Sequence, residues 1–89
     1  MPTNVDFFSM NEQADDIRIG TLSWDGERFH FLGDEKEILM KVVEEPETGP
    51  PPDGTDPETD PLGFLFELQN TYKSYMLRAS EPYEGEPNP

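Results

Sequence analysis

Cysteine is absent from these 89 residues, so no disulfide can brace the fold and no thiolate can hold a metal. Basic residues are scarce. Six Lys and Arg face twenty Asp and Glu, giving a formal charge of −14, and there is one histidine. A field of that sign repels nucleic acid and anionic membrane surfaces, and it attracts basic protein surfaces. The six cations (Arg18, Arg28, Lys36, Lys41, Lys73, Arg78) stand singly and form no basic stripe. No apolar run approaches the ~20 residues that span a bilayer. The opening Met1-Pro2-Thr3-Asn4 carries neither the basic n-region nor the apolar h-region of a secretory signal. A cytoplasmic protein is the expectation.

Signatures of chemistry are equally thin. Neither GxxxxGK[ST] nor GxGxxG occurs, so no phosphate-cradling loop is expected. Ser9, Ser23, Ser74 and Ser80 lack a nucleophile-elbow context. His30 sits in Arg28-Phe29-His30-Phe31, reads as a solvent-facing strand residue, and has no evident acid-base partner. Asp56, Glu58, Asp60 and Glu67 match positions 1, 3, 5 and 12 of a calcium loop, but Pro61 stands where the sharp turn needs Gly. The expectation is no enzyme, no metal and no cofactor.

What is present points to one small α+β domain. Within residues 17–33, Asp25-Gly26 is a turn pair between two strand-like runs. A two-residue turn there sets Trp24 opposite Glu27 and Leu22 opposite Phe29, and gathers Leu22, Trp24, Phe29 and Phe31 on one face. Ile17 and Ile19 join that face only through a bulge at Gly20. Residues 34–45 read as a helix capped by Asp34, with Ile38, Leu39, Val42 and Val43 as its apolar stripe and Pro46 ending it.

Residues 46–61 hold six Pro, two Gly and five acidic residues, the composition of an extended loop. Asp60-Pro61 then supplies an N-cap and first-turn proline for a second helix over 62–79. Its stripe is Leu65, Leu68, Tyr72, Tyr75, Met76 and Ala79, with Phe64, Phe66 and Leu77 off it. The domain therefore spans 17–79. Residues 1–16, with Val5, Phe7, Phe8 and Met10, read as an arm or an edge strand, and 80–89 as a flexible polar tail.

So small a core under such self-repulsion favours stabilisation by a partner. The expected function is a non-enzymatic acidic interaction module, a small subunit, adaptor or inhibitor, binding a basic surface of a larger protein. Its contacts would be Glu44, Glu45, Glu47, Asp53, Asp56, Glu58 and Asp60, with Phe64 and Phe66 as apolar anchors. Two alternatives share the composition: a nucleic-acid mimic that inhibits a DNA- or RNA-binding protein, and a self-assembling structural protein forming a homo-oligomer.

Overall fold

The computed structural model describes residues 1–11, 13, 15–44, 56–74 and 76–86. The architecture is α+β: an antiparallel sheet with two helices. In chain order the elements are β1 (Thr3–Met10), β2 (Asp16–Trp24), β3 (Phe29–Leu32), α1 (Lys36–Glu44), α2 (Pro61–Thr71), β4 (Arg78–Ala79) and β5 (Tyr83–Glu84). Strand order is β3-β2-β1-β4, with β5 also pairing β1. The apolar N-terminal run is therefore neither an arm nor an edge strand. It lies inside the sheet, with β2 on one side and β4 and β5 on the other.

The hairpin forms, but its turn is longer than a two-residue loop. Trp24 pairs with Phe29 and Leu22 with Phe31, so residues 25–28 make the connection. The Asp25 side chain explains the shift. Its Oδ1 accepts from the amides of Glu27 (2.7 Å) and Arg28 (2.9 Å), an Asx-type turn that absorbs two extra residues. Moving the partner by two keeps every side chain on its face. Leu22 is fully buried, while Trp24, Phe29 and Phe31 pack on the core.

The bulge is also present. Pairing steps from Phe7↔Gly20 to Phe8↔Arg18, leaving Ile19 as the extra residue. Ile19 packs against the core, whereas Ile17 stays exposed.

Helix α1 begins later than the Asp34 cap implied. The carbonyl of Glu35 accepts from the amides of Ile38 and Leu39, and the Glu35 amide donates to Ile19 O at 3.2 Å. Leu39 and Val42 are buried, Val43 packs on the core, and Ile38 is exposed.

For α2 the expected cap is the observed one. Asp60 Oδ1 accepts from Gly63 N at 3.1 Å, and Pro61 occupies the first turn, where its missing amide hydrogen costs nothing. Asp60→Ala is expected to lower stability by about 1 kcal/mol, and a urea midpoint equal to wild type would exclude the cap's contribution.

The end of α2 departs from the sequence reading. The helix stops at Thr71, with Tyr72 in a non-helical conformation and its amide on Leu68 O. Ser74 Oγ then accepts from Met76 and Leu77 amides, and the chain folds back so that Ala79 N donates to Tyr72 O. A serine that hydrogen-bonds amides two and three residues ahead offers the backbone a turn in place of a helix. Ala79 is buried as the stripe required, but from a strand; Met76 is exposed, and Tyr75 lies outside the described residues.

The core joins Val5, Phe7 and Leu22 of the sheet to Leu39 and Val42 of α1 and Phe64, Leu65 and Leu68 of α2. Tyr72 meets Phe7 edge-on at 5.8 Å, and Phe64 meets Phe29 edge-on at 6.0 Å. Residues 80–86, read as part of a flexible tail, are tied to β1 instead. Ser80 N donates to Asp6 O, Gly85 N donates to Pro2 O, and Asn4 Nδ2 donates to Gly85 O at 2.9 Å.

Candidate functional site

The end of α1, the start of β3 and the turn before α2 converge on one groove of about 330 Å³, lined by Phe29, Val43, Glu44, Pro57 and Glu58. Each wall has a local cause. Phe29 is held in place by Trp24, with ring centroids 4.8 Å apart, and by Phe64 behind it. Val43 stands at the margin of the α1 stripe, so it is only half-buried. Glu44 is the last residue of α1, and the partial negative charge of a helix C-terminus adds to its own. Glu58 is placed by a turn in which Asp56 Oδ1 accepts from Glu58 N at 2.8 Å and Asp60 N donates to Asp56 O at 2.7 Å.

The contact residues expected from sequence separate into distinct groups. Glu44 and Glu58 come together on the groove, both exposed. Asp56 and Asp60 lie nearby in sequence, but each turns a carboxylate oxygen onto a backbone amide, and they serve the turn and the cap. Phe64 is 5% exposed and belongs to the core, so it offers no anchor; Phe66 is 54% exposed and does. Glu45, Glu47 and Asp53 lie outside the described residues. The calcium-type spacing gathers no ligands, and among the described residues no three His, Cys, Asp or Glu side chains form a metal-sized cluster.

Phe29, Val43 and Pro57 were missed as site residues. Val43 carried a signal: an apolar residue in the last turn of a helix, at the stripe's edge, is where a core face meets the surface.

Charge around the groove is not neutralised from within. Among the described residues, ion pairs join Asp6 to Arg18 and Asp16 to Arg78, and a side-chain hydrogen bond joins Asp25 to His30, whereas Glu44 and Glu58 have no cation at ion-pair distance.

The Asp25 pair corrects the view that His30 lacks a local partner: His30 Nε2 lies 2.6 Å from Asp25 Oδ2 on the exposed turn. The His30 hydrogen bond, followed by those from the Arg28 and Glu27 amides, holds the Asp25 carboxyl well below the usual aspartate range. A depressed folded-state value means that the stabilisation is present above the unfolded aspartate pKa near ~3.9 and is lost as pH falls further. Carboxyl NMR should find Asp25 titrating at unusually low pH, and closer to ordinary aspartate in His30→Ala. Identical curves in the two proteins would remove His30 as the main cause.

A second polar cluster surrounds Asp6. Its Oδ1 accepts from Thr21 Oγ1 at 2.5 Å and Tyr83 OH at 2.9 Å and lies 3.6 Å from Arg18 Nε, while its amide donates to Ser80 Oγ at 2.9 Å. Arg18 also donates to Thr21 Oγ1. These contacts of Asp6 fasten β1 to β2 and to the returning segment 80–83, so the cluster reads as a clasp.

No helix among the described residues is long and apolar enough to cross a membrane. No protein-family model, curated protein or solved structure matches this chain.

Proposed function

We propose that this protein is a non-catalytic acidic interaction module that docks on a basic surface of a larger protein. One observation carries the reading: two exposed carboxylates from separate segments, Glu44 and Glu58, rim an apolar groove and have no cation of the described residues beside them. A purely solubilising charge has no need of an apolar floor. Apolar contact supplies most of the affinity in such interfaces, and the surrounding field raises the rate of encounter. Phe66 adds an exposed aromatic, with Leu62 four residues before it and so on the same side of α2.

The test is affinity capture with the tagged full chain from a lysate of its source, at low and high salt, followed by reconstitution with the purified candidate. A basic protein that binds at a fixed ratio and whose affinity falls steeply with salt meets the expectation. Recovery of the chain alone, or of a partner indifferent to salt, would overturn it. A captured partner whose DNA or RNA displaces this protein competitively would convert the reading to nucleic-acid mimicry.

A further inference from the structure

The geometry points to a specific occupant of the groove: a single arginine side chain presented by the protein partner. This deepens the binding reading above and rests on it. Three properties of the groove select the ligand.

Its floor is apolar and partly aromatic, Phe29 beside Val43, which suits a side chain with a long aliphatic stem and a flat, weakly hydrated head. Its rim carries Glu44 and Glu58, two acceptors on different segments, which together can engage the several N–H groups of a guanidinium. The last turn of α1 ends at this rim, so backbone dipoles reinforce a positive ligand where no side-chain cation already sits.

Lysine fits less well. Its ammonium is compact and strongly hydrated, so it loses more on moving against Phe29 and cannot bridge two carboxylates with a planar fork. The fold already uses the same pairing elsewhere, since the Arg78 guanidinium lies 4.8 Å from the Phe8 ring centroid while donating to Asp16. At about 330 Å³ the groove is at the small end of ligand sites and has room for a side chain as long as arginine.

The experiment is an NMR titration of the 15N-labelled full chain at low salt with N-acetyl-arginine amide, N-acetyl-lysine amide and the neutral N-acetyl-citrulline amide. Arginine amide should shift the amides of Phe29, Val43, Glu44 and Glu58 first, with lysine amide at least threefold weaker and citrulline amide without effect. The double variant Glu44→Gln/Glu58→Gln alters only exposed side chains. It should keep the wild-type spectral dispersion while weakening arginine binding about tenfold or more.

Shifts spread evenly over the acidic surface, equal response to lysine, or unchanged binding by the double variant would each overturn the socket. So would concentration-dependent shifts of these amides without ligand, which would assign the groove to a second copy of the chain. The two proposals fail separately. A basic partner captured equally well by the double variant removes the socket and leaves the function. A selective arginine titration with no basic partner found removes the function and leaves the socket as a property of the surface.

Discussion

Replacing Gly33 by alanine should lower stability by about 2–6 kcal/mol, a large share of the ~4–13 kcal/mol available to a domain of this size. Two costs combine. The backbone at Gly33 has φ 106°, which a side chain disfavours by about 1–3 kcal/mol. An added Cβ would also lie 2.7 Å from Gly20 Cα and 3.0 Å from Ile19 O. Those atoms are backbone and cannot swing aside, so strands must part, at a further ~1–3 kcal/mol.

Two other glycines separate the terms. Gly26 has nearly the same φ, 105°, with nothing within 4 Å of an added Cβ, so Gly26→Ala should show the conformational cost alone. Gly20 has no positive φ, but its Cβ would meet Leu32 O at 2.6 Å and Leu39 Cδ1 at 2.8 Å, so Gly20→Ala should show crowding alone. Urea unfolding of the three variants is the measurement. Equal midpoints for Gly33→Ala and Gly26→Ala would show that the crossing relaxes freely.

Removing the Asp6 carboxylate should be the next most damaging change, at about 2–4 kcal/mol for Asp6→Ala. Its side chain is 8% exposed, and its loss takes one acceptor from the Thr21 and Tyr83 hydroxyls and this counterion from the nearby Arg18 charge. Breaking a buried ion pair by deleting one partner costs about 3–5 kcal/mol; Arg18 keeps 26% exposure, so water recovers part of that. Tyr83→Phe alone should cost about 1 kcal/mol. Combining the two variants should give clear non-additivity, because the hydroxyl and the carboxylate share one bond. Amide exchange at Ser80 and Gly85 should quicken in Asp6→Ala. A cost no greater than that of Asp16→Ala, whose Arg78 pair is exposed, would disprove the clasp.

The parts of this fold legible from sequence are those whose signal is local. The Asp25-Gly26 turn, the Leu39–Val42 stripe and the Asp60-Pro61 helix start each depend on residues within a few positions of one another. The returning segment was not legible. Strands β4 and β5 are two residues each, too short for any periodicity, and exist only because β1 offers them an unpaired edge.

The two phenylalanines of α2 show the same limit within a helix. Phe64 and Phe66 both lay off the chosen stripe, yet their 200° separation sends one inward against Phe29 and leaves the other outside. For the site, Glu44 and Glu58 were legible only as members of an acidic population. Their meeting over Phe29 and Val43 is a tertiary fact that spacing does not encode.

Strand β1 is made before the other strands, yet the neighbours on one of its sides, β4 and β5, are the last to be made. At ~5–20 residues per second, a ribosome leaves that side bare for on the order of ten seconds. Through that interval a nascent chain can close the β1–β2–β3 meander but not the sheet, and Val5 and Phe7 must wait for α2 to cover them. A polysome holds several such chains side by side, each with an open strand edge. Like charge repels copies of one chain, so the excess of carboxylates opposes pairing between such open edges before their own final strands arrive.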